Sequence, residues 1–230
     1  MSPFSMSLVL HGYSYSVYLR IVRLALAEKG VPYERVEVNP FEPALPAAYF
    51  ELHPFGRVPV LVHDGFALYE TAAITRYVDR AFAGPSLQPA GAPALARMDQ
   101  IIGVVDAYAY WPLVRQVFAQ RVMRPRFGRP VDEAEIAAGL AAAPRVLGAL
   151  EKLASGDTFL TGASLSLADL HLGAMVAYFT QAPEGAALLS SYGRLAAWWS
   201  SLATRPSMIA TDPQPTTLRN ASSVTSGSGR

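Results

Sequence analysis

Hydrophobic and polar positions in the first third of the chain alternate between helical and strand patterns. Residues 18–29 (YLRIVRLALAEK) place Leu19, Val22 and Leu26 on one helical face, and Gly30 follows as a helix stop. The predicted order is strand 7–11, helix 18–29, strand 33–38, short helix 47–52, hairpin strands 60–63 and 66–69 around Asp64-Gly65, and helix 71–82. This part of the chain is therefore predicted to be a mixed α/β domain.

The rest of the chain shows helical periodicity only. Helices are predicted over residues 94–122 (with a bend at Pro112), 131–154, 166–181 and 192–204. Residues 84–93 (GPSLQPAGAP) hold three prolines and two glycines, a composition typical of a linker. The element order thus predicts an α/β thioredoxin-like domain over residues 1–83, the linker 84–93, an all-α helical domain over 94–210, and a disordered tail over 211–230.

Composition and charge argue against several classes of function. The 19 basic and 18 acidic residues give a net charge of +1 and no cluster suited to a nucleic-acid backbone; the densest basic stretch, residues 121–129, is interpreted as a solvated loop. The chain has no cysteine, so sulfur chemistry needs a ligand that supplies the sulfur, and the four histidines lack zinc-site spacing. We find no signal peptide and no membrane-spanning pattern, so we expect a cytoplasmic protein.

Residues 12–22 (GYSYSVYLRIV) carry several hydroxyl groups where the first strand joins the first helix. A hydroxyl there lies near free backbone N–H groups and the positive end of the helix dipole, which favour a bound anion such as a thiolate. Ser14 and Ser16 are also ordinary N-cap residues, and the residues alone favour capping. Ser166 and Asp169 have the spacing of a capping box, and we expect no catalysis from them.

Two further stretches allow either ligand binding or a purely structural role. Val58-Pro59 directly precedes a predicted buried strand, and a cis bond there would turn the N–H and C=O of Val58 outward, toward an extended peptide. Thr71 begins a predicted helix and can bind a carboxylate, while Glu70 can bind an ammonium. A trans proline and a plain helix cap are the alternatives.

Taken together and in this order, these stretches resemble the cytosolic glutathione transferases. The resemblance covers residues 7–208, and its most specific parts are RIVRLALAEKGVPYE, HPFGRVPVL and LYETAAITRYVDRAF. The segments FLTG…SLSLADL and SYGRLAAWWSSLATRPS extend it into the helical half. It implies transfer of the glutathione thiolate to small hydrophobic electrophiles, with glutathione as co-substrate and no metal.

The resemblance also implies which hydroxyl holds the thiolate. In serine-type classes, a serine is followed by a short spacer and an Arg-x-Val-Arg-like helix start, and SVYLRIVR from Ser16 is similar to that pattern as found in the tau, phi and zeta classes. Ser16 is therefore the first candidate for the catalytic residue. Tyr13 and Tyr15 are alternatives, and Ser14 comes last.

By the same resemblance, one set of residues should contact glutathione: Arg57, Val58, Pro59, Glu70 and Thr71. The Val58 backbone would pair with the cysteinyl part, and Glu70 and Thr71 would hold the γ-glutamyl end. Two departures weaken this expectation. Residues 44–52 lack the basic side chains that meet the glycyl carboxylate in many relatives, and His53 replaces the usual Asn. Ordinary or poor affinity for glutathione is therefore expected.

The electrophile pocket is expected between the two domains, where ligand clefts commonly lie. Its candidate walls are Tyr108, Tyr110, Trp111 and Val114 on the long helix, with Tyr13 and Tyr15 opposite. The resemblance further implies a homodimer that pairs the first domain of one subunit with the helical domain of the other.

Two alternative functions stay open at this point. A glutathione-dependent isomerase or lyase is ranked lower, because the Ser-Ser-Cys run of zeta-type isomerases is absent at Ser16-Val17-Tyr18. A non-catalytic ligand-binding protein of the same fold is favoured slightly by the missing basic residues, but the Val58-Pro59 and Glu70-Thr71 motifs argue against it.

Overall fold

The computed structural model describes residues 7–155 and 158–213. Its first half contains β1 (Leu8–Gly12), α1 (Val17–Glu28), β2 (Glu34–Glu37), α2 (Ala47–Leu52), β3 (Val60–His63), β4 (Phe66–Tyr69) and α3 (Thr71–Ala81). Its second half contains α4 (Ala92–Val104), a π-helical segment (Val105–Met123), α5 (Arg124–Arg126), α6 (Glu133–Leu153), α7 (Leu167–Phe179), α8 (Pro183–Ser190), α9 (Gly193–Leu202) and α10 (Pro206–Ala210). The predicted fold class, thioredoxin-like α/β followed by all-α, is confirmed.

The four strands form one mixed sheet in the order β2-β1-β3-β4. β1 pairs in parallel with β2 and antiparallel with β3, and β3 forms the predicted hairpin with β4. Leu8 and Leu10 of β1 point into the core, and α1 and α3 pack against each other beside the sheet. β2 is mostly exposed instead of half-buried, because it lies at the edge of the sheet.

Helix α7 forms the centre of the helical half. All thirteen of its residues are buried, and it packs against α1, α4 and the π-helical segment. A helix that is apolar on every side requires such a surrounded position. The predicted helix 94–122 runs through Pro112 without interruption, while α8 and α10 are short helices that the sequence pattern did not reveal.

The segment predicted as a linker is anchored at its middle. Leu87 is 1% exposed, and its N–H donates to Asp79 Oδ1 at 2.8 Å. Its carbonyl accepts from Leu167 N at 2.8 Å, which joins it to the start of α7. The buried Lys29 ammonium pairs with the same Asp79 oxygen at 3.1 Å and also donates to the carbonyl of Pro85.

The end of the described chain is tied to α1. Arg20 Nη2 donates to the carbonyl of Met208 and Arg23 Nη1 to that of Thr211, each at 3.0 Å. Cations at the carbonyl end of α10 also suit its dipole. Of the predicted disordered tail, residues 214–230 lie outside the described part of the chain.

The predicted capping box at the start of α7 is present and fully buried. Asp169 accepts from Ser166 N at 2.8 Å, Ser166 Oγ at 2.7 Å, Leu160 N at 2.8 Å and Trp198 Nε1 at 2.9 Å. Burial raises the pKa of Asp169, and the four hydrogen bonds oppose that shift. These residues do not reach the cleft described below, in agreement with a structural role. In residues 7–155 and 158–213, no helix has the length and apolar character needed to cross a membrane.

Candidate active site

A cleft of about 1020 Å³ opens between the sheet half and the helical half. One side is formed by the start of α1, the loop after β2, the Val58-Pro59 bond and the start of α3; the other is formed by the π-helical segment and the loop after α5. Residues from three separate sequence motifs, Ser16, Val58 and Glu70, therefore face one space.

Ser16 is the N-cap of α1 and lines the cleft. Its Oγ accepts a hydrogen bond from Leu19 N at 3.2 Å. The strand and helix come close here because Gly12 has no side chain: a Cβ at Gly12 would lie 2.5 Å from Leu19 Cδ1. The capping bond uses the oxygen of Ser16 as an acceptor, so its hydroxyl hydrogen stays available to a ligand.

The other three candidate hydroxyls differ in their surroundings. Ser14 does not line the cleft; its Oγ donates to Glu37 Oε2 at 2.6 Å and its N–H donates to Glu37 Oε1 at 2.8 Å. Tyr13 and Tyr15 do line it, with their ring centroids 5.6 Å apart. Burial raises the pKa of Tyr13, and the nearby Tyr15 and Glu37 raise it further, so its hydroxyl is protonated at neutral pH.

The Val58-Pro59 peptide bond is cis, as expected for a backbone edge presented to an extended ligand. The neighbouring Arg57 is held through its carbonyl, which accepts from Tyr49 Oη at 2.7 Å. His53 is 3% exposed, and its ring centroid lies 4.6 Å from that of Tyr69. Burial lowers the pKa of His53, so the imidazole is neutral at pH 7 and offers no charge to a ligand carboxylate.

Glu70 is the N-cap of α3 and has φ of 70°. A non-glycine residue in this region is strained, and such strain concentrates at binding sites. Its side chain makes no capping hydrogen bond, so its carboxylate is available in the cleft, whereas the adjacent Thr71 is 6% exposed. These observations disfavour the plain helix-cap alternative for Glu70.

Three of the four residues predicted as the helical wall, Tyr110, Trp111 and Val114, line the cleft. Tyr108 does not line it and is 64% exposed on another face of the same helical segment. Tyr110 also contacts α1, because its ring centroid lies 5.0 Å from that of Tyr18.

Sequence reasoning missed several residues that the cleft contains, namely Phe41, Asp106, Arg115, Phe127 and Arg129. Phe127 and Arg129 belong to the basic stretch, residues 121–129, interpreted as a solvated loop. This stretch is helical as far as Arg126, is exposed from Pro125 onward, and also borders the cleft. The sequence RPRFGR places an aromatic residue among arginines, and this pattern was the signal that could have indicated ligand binding here. No group of three or more potential metal ligands occurs in the described residues, 7–155 and 158–213.

Comparison with known proteins identifies the class to which this fold and cleft belong. Residues 10–86 match the family model "Glutathione S-transferase, N-terminal domain", and residues 133–198 match "Glutathione S-transferase, C-terminal domain". The order of the two matches is the order of the sheet and helical halves.

Individual relatives agree over nearly the whole chain. Glutathione S-transferase F13 of Arabidopsis thaliana is 30% identical over 212 residues, which cover 90% of this chain and 96% of the relative. Glutathione S-transferase 1 of Zea mays is 32% identical over 202 residues, covering 86% and 92%. A solved structure of glutathione S-transferase I from mais in complex with an atrazine glutathione conjugate superposes with a TM-score of 0.75 at 28% identity, covering 89% and 96%. The chain belongs to the glutathione S-transferase family.

Proposed function

We propose that this enzyme uses the Ser16 hydroxyl to hold glutathione as a thiolate and transfers its sulfur to a small electrophile. The observation that carries the proposal is the placement of Ser16: it caps α1, opens into the cleft, and keeps its hydroxyl hydrogen available while its oxygen accepts from Leu19 N. Capping and catalysis therefore use different parts of one hydroxyl group.

The energy required is modest. A free thiol with a pKa of about 8.5 is only a few per cent ionised at neutral pH. Lowering that pKa by about two units corresponds to about 2.7 kcal/mol of preference for the thiolate. A charge-assisted hydrogen bond from Ser16 and the N-terminus of α1 supply an energy of this size.

The peptide part of glutathione is proposed to lie along the sheet side of the cleft. The N–H and C=O of Val58, which lines the cleft beside the cis Pro59, would pair with the cysteinyl residue, as one strand pairs with another. The free carboxylate of Glu70 would bind the γ-glutamyl ammonium, and the N–H groups at Thr71, the first residue of α3, would bind the γ-glutamyl carboxylate. Arg57 stands beside Val58 and would reach the glycyl carboxylate.

In the transfer step, the thiolate sulfur forms a bond to an electrophilic carbon while the bond from that carbon to its leaving group breaks. The leaving group departs with the electron pair, and the thiol proton has already passed to solvent. With an activated alkene or an epoxide no group leaves, and the carbanion or alkoxide that forms takes a proton from solvent. The helical side of the cleft, with Tyr110, Trp111 and Val114, supplies the apolar wall for the electrophile. The maize relative bound to an atrazine glutathione conjugate supports this type of product.

A homodimer and a cytoplasmic location are part of the same proposal. Support for the homodimer comes from large apolar side chains exposed on both halves, such as Phe55 and Phe66 near the sheet and Tyr108 on the long helix.

The test is a screen of the purified enzyme with glutathione and a panel of aryl halides, activated alkenes and epoxides, with mass spectrometry of the products. The expected result is a glutathione conjugate, together with ultraviolet absorbance of a thiolate when glutathione binds at neutral pH. Normal glutathione binding without thiolate absorbance and without any conjugate would favour the non-catalytic ligand-binding protein instead.

A further inference from the structure

Charge is distributed unevenly along the cleft. Glu70 and Asp106 lie near Tyr18, and their charges reinforce the increase in its pKa that burial causes. Toward the loop after α5, the cleft is bordered by Arg115 and Arg129. One end therefore holds two carboxylates beside Arg57, as suits the glutathione ammonium, while two further arginines border the other end.

Neither arginine is in a salt bridge with a described residue, although Arg115 hydrogen-bonds the side chain of Tyr110. Within residues 7–155 and 158–213, no carboxylate lies within 4.0 Å of Arg115 or Arg129. The nearby Arg121, by contrast, is neutralised by Glu133 at 2.8 Å and Glu184 at 2.7 Å. A guanidinium on the wall of a cleft without an acidic neighbour is suited to bind an anionic group of a ligand.

Aromatic rings adjoin these cations. The Arg115 guanidinium lies 5.7 Å from the ring centroid of Phe41, which is 61% exposed. From there, edge contacts run from Phe41 to Tyr13 (5.9 Å), from Tyr13 to Tyr15 (5.6 Å), and from Tyr15 to Phe127 (5.8 Å), which is 51% exposed. Exposed aromatic faces next to guanidinium groups fit a flat ring that bears a negative charge.

We propose that the electrophile of this enzyme is an anionic aromatic compound, with its carboxylate held by Arg115 and Arg129 and its ring against Phe41 and Phe127. This inference rests on the function proposed above. For an aryl halide, the glutathione sulfur bonds to the ring carbon that carries the halogen, the carbon–halogen bond breaks, and halide leaves with the electron pair. The ring carboxylate is unchanged and only positions the substrate.

The glycyl carboxylate of glutathione is the other anion that these arginines could meet. Arg57 adjoins Val58, along which the peptide is proposed to extend, and is the cation proposed above to meet that carboxylate. Arg115 and Arg129 lie instead on the helical side, and the Arg129 charge opposes the increase in the pKa of Tyr13. Their position on the helical side of the cleft, where the electrophile is proposed to lie, favours the electrophile.

The test compares two electrophiles that share a leaving group: neutral chlorodinitrobenzene and its ring carboxylate, chlorodinitrobenzoate. Each kcat/KM is divided by the uncatalysed rate with glutathione at the same pH, which removes the difference in intrinsic reactivity. We expect a normalised preference of about tenfold for the carboxylate. Added salt should weaken this preference, because the cleft is open to solvent.

Arg115→Gln and Arg129→Gln should each lower kcat/KM for the carboxylate about three- to tenfold more than for the neutral compound. The matched control is Arg126→Gln, which removes the same charge from an exposed residue of the same stretch outside the cleft lining, and should leave the ratio unaltered. Calorimetry of the two S-aryl glutathione products should show the same discrimination without turnover.

Equal normalised rates for the two electrophiles in the parent would overturn the inference while leaving glutathione transfer intact. A higher KM for glutathione in both arginine variants, with the ratio unaltered, would assign the arginines to the glycyl carboxylate and overturn it equally. Absence of conjugation with both compounds, combined with equal affinity for both S-aryl products, would reject the inference together with the proposed function.

Discussion

At the scale of single residues, Ser16→Ala isolates the effect of one hydroxyl. The change removes the donor without disturbing the core, so glutathione should still bind, but the pKa of its thiol should rise toward the free value. Turnover near neutral pH should fall about ten- to a thousandfold, since each pKa unit is about tenfold. Steady-state kinetics from about pH 6 to about pH 9 should show that turnover recovers toward the alkaline end of the range, where the thiol ionises without the help of Ser16.

Tyr13→Phe and Tyr15→Phe are the controls for this prediction, because both rings line the same cleft and keep their packing in the variants. They should keep the thiolate absorbance of the glutathione complex. If a tyrosine variant loses that absorbance while Ser16→Ala retains it, the tyrosine is the donor and the assignment of Ser16 is wrong.

Asp169→Ala should be far more damaging than loss of an ordinary cap. Removing an exposed cap costs about 0.5–2 kcal/mol. Here the carboxylate is fully buried, and its loss leaves the N–H groups of Leu160, Ser166 and Trp198 without an acceptor. We expect about 3–5 kcal/mol of lost stability in urea unfolding, with KM for glutathione nearly unaltered in the protein that folds. A shift in KM with normal stability would contradict the structural role.

The catalytic and glutathione-contacting residues that the sequence predicts share one property: a local motif determines the position of each. Ser16 follows a strand and starts a helix, Pro59 precedes a strand, and Glu70 precedes a helix. Arg129 and Phe127 reach the cleft only because the loop after α5 folds back toward the sheet half, a tertiary relation that no local pattern encodes. Tyr108 is the opposite case. It was predicted to line the cleft, but helical spacing alone does not show which face of the helical segment turns toward the cleft.

At the scale of elements, α10 depends on an acid of α1. Glu28 accepts two hydrogen bonds from Arg205, at 3.0 and 2.7 Å, and a third from Ser207 at the start of α10. Burial alone would raise the pKa of Glu28, but these hydrogen bonds lower it below its ordinary value of 4.5. A lowered folded-state pKa adds stability above the unfolded-state value, and that stability disappears as the pH falls through the folded-state pKa.

Glu28→Gln should therefore reduce the free energy of unfolding by about 1–2 kcal/mol at neutral pH. The difference in stability from the parent should become smaller as the pH falls below the ordinary pKa range of carboxyl groups. Urea titrations at neutral and acidic pH would measure this. Glu51→Gln, which removes the same charge from an exposed position of α2, should show little effect at either pH. A difference that grows on acidification would contradict the assigned direction of the pKa shift.

Elements with strong periodicity or turn chemistry were predictable. The hairpin around Asp64-Gly65 and the short helix α2 have the predicted bounds, because turn residues and prolines delimit them. Helices α8 and α10 are eight and five residues long, too short to develop a periodic pattern. Exposure of β2 followed from its place at the sheet edge, and an alternating sequence does not distinguish an edge strand from a central one.

At the scale of the whole molecule, the proposed homodimer has a direct test. Light scattering at micromolar concentration should give a mass of about twice the 24.7 kDa of one chain. Burial of the exposed apolar side chains described above supplies the driving force, and the association should tolerate added salt better than an ionic interface would. A mass equal to that of one chain would reject the dimer.

The anchored connection through Leu87 has a consequence for how the molecule unfolds. Asp79 belongs to the sheet half and Leu167 to the helical half, yet both hold the backbone of the same buried residue. Separating the halves would expose Leu87 and break its hydrogen bond from Leu167 N, and melting of the sheet half would also separate Lys29 from Asp79 and Pro85. If one half melts while the other stays native, these buried contacts are lost. Thermal denaturation is then a single cooperative event, and a protease that cuts a peptide bond near residue 87 would leave the two fragments associated.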